Sequence, residues 1–126
     1  MTSSGPQPRY GGVVSHEWER AHHIRQFRQG VLSREEICDA DFLLRAAAEH
    51  HGTKMARRCP VCGESLRLTR WVYGESLGRR AGSARSEEEI AAFAAEGLVF
   101  TVHEVEVCRA CHWNHLLSTA TVYDYS

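Results

Sequence analysis

Two pairs of cysteines, Cys59-Pro60-Val61-Cys62-Gly63 and Cys108-Arg109-Ala110-Cys111, constrain this chain more than any other feature. Each two-residue gap lets a tight turn aim two thiolates at one point, and Gly63 supplies the backbone freedom such a turn often needs. Two turns together complete a tetrahedral four-sulfur site. The pattern therefore predicts a zinc ribbon in which Cys59, Cys62, Cys108 and Cys111 hold one structural Zn2+. Forty-five residues separate Cys62 from Cys108, against about 15 to 20 in the usual spacing, so the metal is expected to clamp an enlarged ribbon. Four thiolates leave no position open for water, which argues against chemistry at the metal unless one cysteine is displaced. His112 and His115 are the only substitutes, and beside Cys111 they are expected to donate to backbone or thiolate sulfur rather than to bind the ion.

Two other uses of these thiols are weaker. A redox dithiol sits where a strand enters a helix, whereas Gly63 follows Cys62 directly and Leu66 to Tyr73 reads as extended; thiol redox or metal transfer is thus the second alternative function. A disulfide framework needs an oxidising compartment, yet Met-Thr-Ser-Ser-Gly-Pro-Gln-Pro has neither the charged start nor the apolar stretch of an export signal. The expected location is the cytoplasm. Cys38, alone in Glu-Glu-Ile-Cys-Asp-Ala, reads as a small buried side chain with no chemistry assigned.

At 126 residues the chain is one domain's worth, and no apolar run approaches the roughly 20 residues of a membrane span. The net charge of -1 conceals a division. Lys54 to Arg85 carries eight basic residues against two glutamates, a net +6, and Ser86 to Val107 carries six glutamates and no base. Such neighbours form either two faces of opposite sign or one internally paired patch.

Local signals divide the chain into three parts. Residues 1 to 12, rich in Ser, Gly, Pro and Gln, read as a disordered tail. Residues 13 to 53 read as a helical segment. Within it Trp18, Ala21, Ile24 and Phe27 recur at helical spacing from about Ser15 to Gln29, Ser33-Arg34-Glu35-Glu36 has the form of a capping box, and Asp39 or Asp41 caps a helix from Phe42 to His51. Residues 54 to 126 make the enlarged ribbon. There Leu66 to Tyr73, Leu98 to Val107 and Leu116 to Tyr123 are extended, Gly74 to Ser83 is a loop, and a second capping box, Ser86-Glu87-Glu88-Glu89, opens a helix through Ala95. The expected fold class is α+β: a three-stranded antiparallel sheet with a helical insert between the knuckles, preceded by helices.

The residues Cys38-Asp39-Ala40, Leu43-Leu44-Arg45-Ala46-Ala47, Cys59-Pro60-Val61-Cys62, Trp71-Val72-Tyr73-Gly74-Glu75, Gly82-Ser83-Ala84-Arg85 and Val105-Glu106-Val107-Cys108 through Trp113-Asn114-His115 resemble a family of small actinobacterial zinc-ribbon proteins. That family is a domain of unknown function. The resemblance runs from about Gln29 to Leu117 and implies the fold and the host, with no activity or partner attached.

With no Ser-His-Asp, paired-carboxylate or nucleotide-binding signature, the chain reads as a binding protein rather than an enzyme. Its first expected function is a zinc-ribbon adaptor that docks a protein partner, by analogy in the transcription machinery, with Trp18, Ile24 and Phe27 as the docking stripe. The alternative is a nucleic-acid-binding ribbon in which Arg57, Arg58, Arg67, Arg79 and Arg80 meet phosphates while Trp71 stacks on a base. The doublets His22-His23 and His50-His51 supply at most one metal ligand each, because neighbours on a helix point about 100° apart.

Overall fold

A computed structural model of the protein describes residues 8–124. It is a mixed α+β fold around a six-stranded antiparallel sheet, with strands β1 (Pro8–Ser15), β2 (Thr53–Arg58), β3 (Ser65–Tyr73), β4 (Ser83–Ala84), β5 (Phe100–Val107) and β6 (Asn114–Asp124). The order is β1-β6-β5-β3-β2, with the short β4 paired to β3. Four helices are interleaved: α1 (Glu17–Arg28), α2 (Arg34–Ile37), α3 (Phe42–His51) and α4 (Glu87–Ala95). None of them is long and apolar enough to cross a membrane.

The helices begin where side-chain caps place them. Ser33 accepts from the Glu36 amide, Asp41 accepts from the Leu44 amide, and Ser86 and Glu89 form a complete reciprocal capping box. Inside the expected loop 74–83, Glu75–Arg80 turn as a 3-10 helix that buries Leu77.

The sheet has six strands where the sequence suggests three: the short β4 is one addition, at the end of the expected loop 74–83, and two longer segments are the others. Pro8–Ser15, mostly assigned above to a disordered tail, is a strand: it pairs with β6 from Pro8↔Asp124 to Ser15↔Ser118, with a register shift between Gly11 and Val14. Proline and two glycines give this segment little strand preference of its own, so the partner strand makes it one. The remaining tail residues, 1–7, lie outside the described residues. Thr53–Arg58, on the boundary between the expected helical segment and ribbon, is likewise a strand, joined to β3 through Thr53↔Leu68 and Arg58↔Ser65.

Alternation along β3 and β5 defines the two faces of the sheet. Val72, Val102, Phe100 and Val122 on one face pack with Leu77 and with Ile90, Phe93 and Ala94 of α4. On the opposite face Ala48 of α3 packs with Ala40 and Val107, and Leu44 lies against this group. At the end of the sheet that carries the cysteine turns, Ile24 of α1 and Ile37 of α2 enter one cluster with Cys59, Leu66, Cys108 and Trp113. The amino-terminal helices and the cysteine-bearing sheet therefore share a core, and each side of that cluster needs the other to leave water.

Candidate metal centre

Each cysteine pair sits in a turn that leaves a strand, and the two turns follow one backbone plan. The Cys59 amide donates to the Glu64 carbonyl and the Gly63 amide to the Cys59 carbonyl; the Cys108 amide donates to the Trp113 carbonyl and the His112 amide to the Cys108 carbonyl. Gly63 has φ 80° and His112, at the equivalent position, has φ 75°. His112 is the one non-glycine with positive φ among the described residues, a conformation that costs a side-chain-bearing residue about 1 kcal/mol or more. The turn geometry thus assigns His112 a backbone role.

The turns face each other across the sheet end and interleave their sulfurs. Cys59 Sγ lies 3.6 Å from Cys111 Sγ, and Cys62 Sγ 3.5 Å from Cys108 Sγ. All four sulfurs lie within 4.8 Å of one another. A tetrahedral zinc with Zn–S bonds of about 2.3 Å spaces its sulfurs by about 3.8 Å, so the donor set and its spacing fit one such ion. Cys59 and Cys108 are buried, Cys62 and Cys111 half-buried, and all are free thiols.

Burial pushes the Cys59 thiol up to about 11, and burial first of all raises Cys111 still further. For Cys62 burial is again the largest influence, but the Glu64 backbone and the neighbouring thiols outweigh it, and this thiol lies below its ordinary value. Four thiols this close do not carry four negative charges by themselves; a divalent cation bound among them would supply the missing positive charge. The Val61 amide reaches Cys59 Sγ and the Cys111 amide reaches Cys108 Sγ, each at 3.4 Å. Backbone amides thus donate to two of the four sulfurs. The His115 ring meets the Leu116 backbone carbonyl, at 2.6 Å, and the His23 ring, at 2.9 Å.

Two residues at the centre had no functional reading in the sequence. Cys38, at the end of α2, donates to Cys111 Sγ at 3.6 Å, so a fifth sulfur touches the four. No spacing signal links it to either pair, because the fold alone brings residue 38 beside residue 111. Glu106 is completely buried two residues before Cys108. Its oxygens accept from Arg20 Nε at 2.6 Å, Trp113 Nε1 at 2.7 Å and Arg57 Nε at 3.1 Å. Arg57 also grips Glu17 with two hydrogen bonds, at 2.9 and 3.1 Å. One carboxylate thus joins α1, β2, β5 and the second cysteine turn.

The proposed docking stripe is not one surface. Ile24 is 8% exposed in the core beneath the cysteine turns, and Phe27 packs against the same cluster, while Trp18 is 75% exposed and stacks on His22. Ile24 and Phe27 share a helical spacing because both face this chain's own core, and Trp18 does not. Ile24→Glu is accordingly expected to lose the native fold and the metal together, seen as loss of cooperative thermal unfolding, since it forces a charge into a dry core.

The arginines proposed for nucleic acid are also dispersed. Arg67 donates to the Ala48 and Gly52 carbonyls at the end of α3. Arg80 binds Glu96 and the Leu77 carbonyl and covers the Phe93 ring, and Arg57 is held by Glu17 and Glu106. Arg58 and Arg79 are exposed, and Trp71 is half-buried with its indole N–H on Thr69. The two oppositely charged segments pair with each other through Arg70 with Glu87 and Glu104, and Arg85 with Glu89. Their charge division ends mainly in internal ion pairs. The histidine doublets do not converge: His23 meets His115, and His50 and His51 lie exposed on α3.

These cysteine turns and this sheet lie almost wholly inside residues 9–123, which match the family of unknown function DUF5318. The chain belongs to this family. Among curated proteins it is 48% identical over 85 residues to the uncharacterized protein Rv0049 of Mycobacterium tuberculosis and, to the same extent, to the uncharacterized protein Mb0050 of Mycobacterium bovis. Those matches cover 67% of this chain and 62% of each relative, so they span somewhat less than two thirds of the relatives' length. The expected membership of an actinobacterial family of unknown function thus agrees with these mycobacterial relatives. No solved structure matches the chain.

Proposed function

We propose that this protein is a non-enzymatic cytoplasmic adaptor of zinc-ribbon type, in which one structural zinc braces a sheet that docks a protein partner. The observation that carries the reading is the closed four-sulfur cluster, which offers a tetrahedral ion no position for a reacting water. The metal then stiffens the platform, and function resides in a surface.

The surface with the best claim is the sheet face that α3 covers only in part. Leu43, Leu44, Trp71, Tyr73, His103 and Leu116 line a shallow hollow of about 450 Å³ there. Leu43 is 70% exposed and Tyr73 39%. Burial, and secondarily the nearby His16, push the His103 imidazole below its ordinary value, so it adds no charge at neutral pH. An apolar, aromatic-lined hollow whose one charged lining residue is the carboxylate of Asp41 suits a protein partner better than a phosphate backbone. A place in the transcription machinery rests on analogy with other ribbons alone.

Affinity capture from host lysate with and without nuclease tests the reading. Wild-type protein is expected to retain a partner after nuclease treatment, and Leu43→Asp to retain at least tenfold less with unchanged zinc content. Association that vanishes with nuclease, or that Leu43→Asp leaves intact, contradicts it.

A further inference from the structure

On the opposite side of the sheet, α1 and the first cysteine turn enclose a second concavity of different chemistry. It measures about 480 Å³, and its floor is Ile24 and Pro60. Five arginines line it: Arg20, Arg25 and Arg28 from α1, and Arg57 and Arg58 from the end of β2. No acidic residue does. Helical spacing puts Arg25 and Arg28 on the side of α1 that faces the turn, and the cluster of Ile24 with Cys59 and Leu66 fixes how closely helix and turn approach.

Two of the five guanidiniums are already neutralised. Arg20 binds Glu106, and Arg57 binds Glu17 and Glu106. Among the described residues Arg25, Arg28 and Arg58 make no ion pair. The negative end of α1, about half an elementary charge, accounts for part of Arg25 and Arg28. It does not account for Arg58, which comes from another element. Three uncompensated cations around one concavity repel one another, and its apolar floor concentrates their field.

We infer that this cleft is a binding site for phosphate groups. Guanidinium forks match phosphate oxygens two at a time, which makes arginine the residue suited to this geometry. No aromatic side chain lines the cleft, so recognition is of phosphate and not of a stacked base. The ligand carries at least two linked phosphates, as a pyrophosphate group or as consecutive phosphodiesters of a single strand. None of Arg25, Arg28 and Arg58 touches the Leu43 hollow, so this site stands or falls separately from the protein-docking reading.

The test uses zinc-loaded full-length protein and two probes, inorganic pyrophosphate and a twelve-residue oligothymidylate, followed by titration calorimetry and fluorescence anisotropy. Wild type is expected to bind at least one probe at 50 mM salt. Arg25→Ala with Arg28→Ala should weaken that binding tenfold or more without changing zinc content or thermal midpoint, because both side chains are exposed. Arg79→Ala, in a distant exposed turn, should bind like wild type. Oligothymidylate binding whose log–log salt slope falls by about 1.4 in the double variant identifies a phosphodiester ligand; binding of pyrophosphate alone identifies a small phosphorylated one. Absence of binding to both probes, or equal affinity in wild type and the double variant, overturns the site.

Discussion

Replacing Cys108 with serine is expected to remove the metal and with it most of the stability of the cysteine end of the molecule. Zinc held by four thiolates contributes on the order of 10 kcal/mol of apparent folding free energy at neutral pH, which is comparable with the whole stability of an ordinary domain, about 5–15 kcal/mol. Cys108 is fully buried, it contacts Cys62, and it belongs to the cluster that seats Ile24 and Ile37. Its loss therefore loosens α1 and α2 as well as the turn. The other end of the sheet, where α4 covers Val72 and Phe100, has its own apolar cluster and should retain strand and helix signal. Native mass spectrometry should find one zinc in wild type and none in Cys108→Ser, and the thermal midpoint should fall by more than 15 °C. Cys38→Ser, which removes the fifth sulfur but none of the four, should keep its zinc. Loss of zinc in that variant would place Cys38 among the ligands.

The same centre sets a pH dependence whose sign follows from the thiols. Protons compete for Cys59 and Cys111, both raised by burial, whereas the zinc-bound state holds all four sulfurs as thiolates. The unfolded chain at neutral pH binds more protons on these cysteines than the zinc-bound fold does. Stability should accordingly rise with pH and fall on acidification. Chelator competition at pH 6 and pH 8 should show tighter zinc at pH 8; equal affinity at both would mean that thiolates are not the donors.

Glu106→Ala is expected to be among the most damaging truncations outside the four cysteines. It leaves the Arg20 guanidinium, 12% exposed, and the indole N–H of Trp113, 1% exposed, without their acceptor, and it deprives Arg57 of one of two carboxylates. Removing one partner of a buried ion pair costs about 3–5 kcal/mol, mostly because the remaining charge stays in a dry environment. Glu106→Gln keeps an acceptor oxygen and should fall between wild type and alanine. Because Arg20 and Glu106 act through each other, Arg20→Ala combined with Glu106→Ala should cost clearly less than the two single changes added together. Urea unfolding of the four proteins at saturating zinc measures this. A loss below about 1 kcal/mol for Glu106→Ala would mean that water reaches the site and screens the guanidiniums.

How much of this was legible before folding depended on the range of the interaction. The two cysteine turns were legible because each is set by five consecutive residues, and the caps at Ser33 and Ser86 because a side chain meets an amide three residues on, while the choice between Asp39 and Asp41 fell to Asp41 only in the fold. Strands β1 and β2 were not. Pro8–Ser15 has two glycines and a proline, and it is a strand only because β6 supplies the partner more than a hundred residues later. Glu106 had no reading of its own beyond the charge count of its segment and its place in the family resemblance, since nothing near it in sequence announces Arg20, Arg57 or Trp113. The arginine-rich segment read as a surface for phosphates, but most of those guanidiniums found carboxylates or carbonyls, and Arg58, which found neither, joined arginines of α1 that a local reading could not place beside it.

By itself, then, the order of residues determined that two hairpin-like turns would each present a pair of thiols and that helices would start after Ser33 and Ser86, because those outcomes depend on atoms a few bonds to a few residues apart. Only the tertiary structure decided that the turns interleave their sulfurs, that Cys38 joins them, that Ile24 faces inward, and that Glu106 ties α1 to the metal end. The physical reason is that burial and charge compensation are properties of a place. A carboxylate is costly or stabilising according to which cations the fold brings within about 3 Å of it, and those cations stand 86 and 49 residues away along the chain.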